Sequence, residues 1–431
     1  MSLLLKNCSI LKTENDEFVT LKNAYLGIEG SVIDWISTEL PEKKYDEEKD
    51  MSGKLLMPGL INCHGHTAMT LLRGSGSDRS LQDWLYDCMI PVEDRMTLSD
   101  IHAGRALAMM EMLATGTTTF SDMYMEPEDA VQFCAEAGMK AHFSRVMQSF
   151  DPHESYEDNG RGTVNNMLFE KYNNSSDGRI RIDYMVHAEY TCNEEMVRRY
   201  AADCKAHHAL FHTHISETKK EHDECLEKYR KTPVRWFYDL GAFENPSYLA
   251  HCVWVNEDDL DIMKNNGVTC VHNPSSNMKL GSGFAPIPRM LRMGINVALG
   301  TDGAASNNNL NMFEEMHLAS VIHNGFHLDS TIMKASDVLK MATINGAKAL
   351  GRPDTGSLEI GKKADIIALD MSRPHLYPDH DTAALIVYSA QGSDVCMTMV
   401  DGKILYENGK FLTIDAEDVR RQVEESVKRL F

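Results

Sequence analysis

The chain lacks any run of about 18 consecutive apolar residues, the length a membrane-spanning helix needs, and its opening stretch, MSLLLKNCSI, is too short in apolar residues for a secretory signal. Basic residues are in deficit. Against 64 aspartates and glutamates stand 43 lysines and arginines, a net charge of −21. A field of that sign repels nucleic-acid polymers and anionic membranes and leaves a small neutral or zwitterionic ligand as the expected partner. None of the ten cysteines forms a CxxC pair. A chain of 431 residues needs no disulfide staples, so reduced thiols and a cytoplasmic location are expected. There is no low-complexity tract and no Pro/Ser-rich linker.

What is there is an ordinary apolar content of 43%, enough for a sizeable core. Residues 1–56 alternate short apolar runs with turn residues: Leu3–Leu5, Val19–Leu21, Ala24–Ile28 and Val32–Ile36. These read as short strands of a small sheet. From Met57 the texture changes. The β-like runs Met57–Cys63, Thr117–Ser121, Lys140–Met147, Ile180–His187, Ala209–His214, Tyr248–Cys252, Val268–His272 and Ile295–Gly300 alternate with helical stretches. Among the latter are Asp100–Thr115, Glu126–Ala137, Glu194–His207, Lys219–Leu240 and Glu257–Asn266. Eight βα units predict a (β/α)8 TIM-like barrel over residues 57–363. A doubly wound open sheet is the rival, weakened because no GxGxxG follows the first strand. After a helix at Met341–Leu350, β-like runs return at Ala364–Leu369, Val395–Val400 and Lys403–Glu407, with a hairpin turn expected at Val400-Asp401-Gly402-Lys403. An amphipathic helix closes the chain near Ala416–Phe431. The two β-rich ends, 1–56 and 364–431, are expected to join into one small β-sandwich domain.

In such a barrel, functional side chains gather at the C-terminal ends of the strands. The stretch MPGLINCHGH ends the first strand in His64 and His66, which point to the same side because they are two residues apart. His187 ends the fourth strand and His214 the fifth, with Glu217 three residues on. His251 ends the sixth and Asp302 the eighth. Three imidazoles and a carboxylate make a coherent site for one catalytic divalent ion with room for water, and His64, His66, His214 and Asp302 are assigned to it. His212 shares a strand face with His214 and competes with it as a ligand, but it lies deeper and reads as core-lining. His272 ends the seventh strand and is also a candidate ligand, but the Asn-Pro-Ser-Ser turn after it reads more like pocket wall. No lysine stands at the end of the third or fourth strand to bridge a second metal, so one ion per subunit is expected.

MPGLINCHGHTAMTLLRG, HISET, AHCVW, NPSSNMKLGSG and LGTDGAASNNNLNMFEEM together resemble the amidohydrolase superfamily. More narrowly they are similar to the methylthioadenosine/S-adenosylhomocysteine deaminases, kin of chlorohydrolases that act on triazines. The resemblance covers nearly the whole chain. It implies that His64, His66, His214 and Asp302 bind the metal, zinc or alternatively iron. It implies that Glu217 protonates the ring nitrogen beside the attacked carbon and that His251 orients the attacking water. Asp302 also acts in catalysis, as the base that passes a proton to departing ammonia. His187 matches a hydrogen-bond partner of the purine, Glu93 the carboxylate that holds the ribose hydroxyls, and Trp84 an aromatic pocket wall. Arg145 and Arg161 match residues that bind the far end of the substrate, such as an amino-acid carboxylate. Read without the family, Glu93, Arg145 and Arg161 are surface ion-pair formers. The H-x-E with P-C-x-x-C signature of cytidine-type deaminases is absent. The expected activity is deamination of an adenine nucleoside; the alternatives are a guanine or other purine deaminase, a triazine hydrolase, or a non-catalytic scaffold. A homo-oligomer is compatible with all of these.

Overall fold

Both ends of the chain meet in one nine-stranded sheet. The computed structural model describes residues 2–15, 17–79 and 81–431. Strands Ser2–Glu14 and Glu17–Glu29 pair antiparallel, Val32–Ser37 follows on the second, and Lys54–Pro58 lies parallel to the first. Ile366–Asp370 pairs with Lys54–Pro58 and carries Val395–Val400, Lys403–Glu407 and Lys410–Phe411 beyond it. Glu47–Asp50 adds a short strand beside Ser2–Glu14. The runs Val19–Leu21 and Ala24–Ile28 belong to one long strand rather than two. The polar break between them is absorbed as a register shift in which Asn7 (φ 60°) and Asn23 (φ 51°) take the left-handed conformation that Asn tolerates best after Gly. The expected hairpin is there: Val400 pairs with Lys403 across Asp401 (φ 49°) and Gly402 (φ 78°), the two positive φ angles a type I′ turn requires.

Side chains on these strands divide by alternation. Leu56, Ile366, Ala368, Met397 and Met399 close the terminal sheet's own core with Leu5, Ile10, Leu26 and Ile28. Leu55, Met57, Ile367, Leu369 and Val395 face the other way, into the core shared with the barrel. The single run Met57–Cys63 is therefore shared between two structures. Its first part ends the sheet strand Lys54–Pro58, and the chain bends at Gly59 into Leu60–Gly65. A Cβ at Gly59 would stand 2.3 Å from the Thr118 side chain, so no other residue fits this corner without displacement.

Leu60–Gly65, Thr117–Asp122, Lys140–Phe143, Phe211–Ile215, Ser247–His251, Thr269–His272 and Val297–Leu299 are parallel barrel strands. The fourth strand, between the third and fifth, is divided at Asp183 into Ile180–Ile182 and Tyr184–Val186. The first half pairs backward and the second forward. Asp183 N donating to Phe143 O (2.9 Å) and Met147 N to Met185 O (2.8 Å) carry the backbone across that seam. On the opposite side Asp302 N donates to His64 O (3.0 Å) and Asn62 Nδ2 to Thr301 Oγ1 (2.7 Å), joining the eighth strand to the first. The ring closes there.

The outer helices depart from expectation at two breaks. Lys219–Leu240 is two helices, Lys219–Tyr229 and Pro233–Asp239. Pro233 has no N–H to continue the first helix, and Thr232 caps the second by accepting from Arg235 N at 3.1 Å. Met341–Leu350 likewise resolves into Ala335–Met341 and Ile344–Ala349. The last helix, Ala416–Leu430, packs on Leu98–Ala114 and buries Val419, Ser426 and Leu430. Among the described residues no helix is long and apolar enough to cross a membrane.

Candidate metal-dependent active site

The strand ends of the barrel bend sharply where the functional side chains leave them. His251 (φ 73°), Cys252 (φ 50°) and Asp302 (φ 60°) are non-glycine residues in the left-handed region, each costing on the order of 1–3 kcal/mol. Those bends turn the side chains over the barrel mouth. His64, His66, His214 and Asp302 each offer a ligand atom there, and the four atoms lie within 4.8 Å of one another.

The protons behind these atoms are fixed by their partners. His66 Nδ1 lies 2.6 Å from Met123 O and His214 Nδ1 lies 2.7 Å from His187 O. A carbonyl only accepts, so each Nδ1 carries its hydrogen, which leaves each Nε2 as the ring atom that can face a metal ion. The two Nε2 atoms are 3.2 Å apart, a spacing that a proton shared between them or a bound cation can hold. His64 Nε2 is buried without a hydrogen-bond partner, 3.4 Å from Asp302 Oδ1. Asp302 Oδ2 accepts from Ser276 Oγ (2.6 Å) and Ser306 Oγ (2.8 Å), which leaves Oδ1 turned toward His64 and His66.

Charge follows the same logic. Burial alone favours a neutral Asp302, but the His64 and His66 imidazoles beside it outweigh that and hold the carboxyl well below its ordinary value. Burial opposes a charged His66, yet Asp302 raises it to about 9, whereas burial takes His64 down to about 4. The carboxylate thus draws positive charge to one point, which a proton on His66 or a divalent ion can supply. The donor set fits a divalent metal.

A cavity opens over this quartet, lined by His66, His214, Glu217, His251 and Asp302 on its floor. Glu217 is buried, and that burial raises its carboxyl above the ordinary range against the opposing pull of His251. His251 Nδ1 faces Asn277 Oδ1 at 2.8 Å, and His251 Nε2 stands 3.9 Å from Glu217 Oε2. His187 lines the wall, its Nδ1 3.1 Å from Thr191 Oγ1, and burial pulls it down to about 4, a neutral imidazole. Across the cavity stand Trp84 and Glu93. Trp84 begins a π-helical turn, Trp84–Met89, a form concentrated at functional sites. Tyr124 Oη donates to Glu93 Oε1 at 2.5 Å. Burial nonetheless leaves the Glu93 carboxyl above its usual value.

Residues 55–405 match the amidohydrolase family. The chain belongs to that family. The resemblance to methylthioadenosine/S-adenosylhomocysteine deaminases is borne out in its relatives. The 5-methylthioadenosine/S-adenosylhomocysteine deaminase of Acetivibrio thermocellus is 44% identical, with 100% of each chain covered. The 5'-deoxyadenosine deaminase of Methanosarcina acetivorans is 39% identical, covering 99% of this chain and 98% of that one. Among solved structures, an adenosine deaminase from Xanthomonas campestris with bound zinc superposes with a TM-score of 0.93 at 28% identity, covering 99% of this chain and 98% of its own.

In this amidohydrolase the two candidate arginines part company. Arg161 lines the cavity and donates to Val146 O at 3.1 Å, while Arg145 does not line it and points Nη1 at Glu126 Oε1, 3.1 Å away. His272 is not among the clustered ligand atoms, and the Asn-Pro-Ser-Ser turn after it does not line the cavity. His272 faces His323, Nε2 to Nε2 at 3.2 Å. The turn after it works from behind: Ser276 holds Asp302 and Asn277 holds His251. Sequence reasoning missed those two, along with Ser306 and Tyr124. A polar helix start directly after a strand end, as in Asn273–Asn277, is the one local signal that pointed toward them.

Proposed function

We propose that this amidohydrolase removes the 6-amino group of adenine nucleosides by hydrolysis, giving the inosine analogue and ammonia. The observation that carries the reading is Glu93 in the same cavity as Glu217 and the histidine–aspartate quartet. A free base or a triazine has no vicinal diol, and a carboxylate across the pocket from the reacting end suits one because it accepts two hydrogen bonds. Substrates of the class borne in the relatives' names, 5'-methylthioadenosine, S-adenosylhomocysteine and 5'-deoxyadenosine, fit this layout. The net charge of −21 also favours a small ligand over a nucleic-acid polymer.

His64, His66, His214 and Asp302 would hold the divalent ion, one per subunit, zinc or alternatively iron. When bound, such an ion acidifies a water to near neutrality and so supplies the nucleophile. Glu217, whose proton affinity burial raises, gives a proton to the ring nitrogen beside C6 as that carbon becomes tetrahedral. His251 orients the attacking water through Nε2, its ring fixed by Asn277. Asp302 takes one proton of the water and passes it to the departing amine, which leaves as ammonia while the other, on the oxygen at C6, returns to Glu217. His187 meets the purine, Trp84 walls the ring, and Glu93 holds the ribose hydroxyls. Arg161 faces the 5' end, where a guanidinium can bind a carboxylate bidentately.

The test is ammonia release from adenosine, 5'-methylthioadenosine, S-adenosylhomocysteine, 5'-deoxyadenosine, guanine and a triazine, with elemental analysis of the protein. Turnover of the nucleosides with about one equivalent of metal is expected. Turnover confined to guanine or the triazine would remove the nucleoside reading.

A further inference from the structure

We propose that His212 is a positioning residue for His64: it accepts the His64 Nδ1 proton and thereby keeps the His64 Nε2 lone pair on the metal point. The proposal rests on the quartet of the reading above. His212 Nδ1 lies 2.6 Å from Tyr248 O, and His212 Nε2 lies 2.9 Å from His64 Nδ1. The carbonyl fixes the hydrogen on His212 Nδ1. His212 Nε2 is then an acceptor, and the hydrogen between the two rings belongs to His64 Nδ1. A relay of two imidazoles so converts one backbone carbonyl into the tautomer that His64 needs as a ligand. His66 and His214 reach the same state directly, from Met123 O and His187 O. His64 has no such carbonyl as its Nδ1 partner, and His212 takes that place.

The relay is anchored from below. The His212 ring is fully buried and stacks on the Tyr248 ring at 4.0 Å, 10° from parallel. Tyr248 Oη donates to Asp183 Oδ2 at 2.7 Å and lies 2.9 Å from Ser121 Oγ. Neither ring can turn without breaking a buried hydrogen bond. An apolar residue at 212 would leave both Tyr248 O and the His64 Nδ1 hydrogen unpaired in the barrel core.

Glutamine and asparagine separate positioning from packing. A glutamine amide reaches the place of the imidazole Nε2, so His212→Gln can still accept from His64. Asparagine reaches the place of Nδ1, so His212→Asn can still donate to Tyr248 O but leaves His64 unpartnered. The readouts are zinc retention against a chelator and the rise in melting temperature on adding zinc to metal-stripped protein, a difference in which any loss of the apo fold cancels. His212→Asn is expected to hold zinc roughly 10–100-fold more weakly than wild type and to show a smaller rise, with His212→Gln close to wild type. Zinc retention by His212→Asn within about twofold of wild type, against that expected 10–100-fold loss, overturns the proposal. So does an equal loss in both variants, and should the Asn variant not fold, loss of zinc in a folded His212→Gln protein is decisive against it. Wild-type protein that takes up no divalent ion refutes the quartet itself, a separable failure.

Discussion

Glu217 illustrates how one residue's surroundings set its chemistry. Its carboxyl is buried 3.9 Å from His251 Nε2, and burial raises its proton affinity, so it stays a proton donor at higher pH than an exposed glutamate. Glu217→Gln keeps the shape and the polar atoms but cannot give up or regain that proton. It is expected to lower kcat on the nucleosides by a factor on the order of 100 or more while metal content by elemental analysis stays unchanged. A variant with near-normal kcat would assign the proton transfer elsewhere. Glu315 carries a second prediction. It is fully buried, accepts from Asn307 Nδ2 (2.7 Å) and Ser275 N (3.2 Å), and burial raises it to about 8. Between its ordinary value and about 8 the folded chain holds a proton there that the unfolded chain has lost. Stability therefore falls as pH rises through that window and levels off above it. Melting temperatures of Glu315→Gln across the same window are expected to decline less than those of wild type. Parallel curves would show that another group sets the slope.

At the scale of elements, the C-terminal helix braces the pocket wall. Leu430 is 2% exposed and packs in one cluster with Met69, Leu72, Trp84, Val92 and Tyr124. Arg429 pairs with Asp100 and donates to Arg95 O at 3.1 Å. The helix thus touches, from outside, the segment that carries Trp84 and Glu93. Leu430→Ala should cost about 2–3 kcal/mol of local packing. Because what loosens is a wall and not the proton machinery, KM for nucleosides is expected to rise severalfold with kcat little changed. Steady-state kinetics with the metal content matched would check this, and an unchanged KM would reduce Leu430 to a stability residue. The same scale explains why some elements were legible and others not. The Asp401-Gly402 turn and the eight barrel strands follow from local alternation and turn chemistry. The corner at Gly59 does not, since an unbroken apolar run hides two strands that belong to different layers.

At the scale of the whole molecule, the terminal sheet and the barrel are joined by charge as well as by apolar packing. Lys140, on the third barrel strand, is buried at 3% exposure, paired with Asp365 and 2.8 Å from Asp401 Oδ1, both residues that flank the terminal-sheet strands. Lys140→Met removes the cation and leaves two buried carboxylates facing each other. It is expected to destabilise the fold by about 3–5 kcal/mol in denaturant titration, since buried Asp365 loses its cation and Asp401 keeps only the more distant Arg179 (3.8 Å) and Lys363 (3.9 Å). A loss below about 1 kcal/mol would mean that water reaches the pair. What the sequence settled by itself is the chemical inventory and its local periodicity: parallel βα units, a histidine pair two residues apart on one strand, and acids and imidazoles at successive strand ends. Tertiary structure alone decided which of these act together. It set His214 over the cavity and His212 behind His64, turned Arg161 inward and Arg145 toward Glu126, and recruited Ser276, Ser306, Asn277 and Tyr124 as supports. The reason is physical. Period and propensity are carried by neighbours in the chain, whereas the direction of a hydrogen bond and the aim of a side chain depend on groups hundreds of residues away.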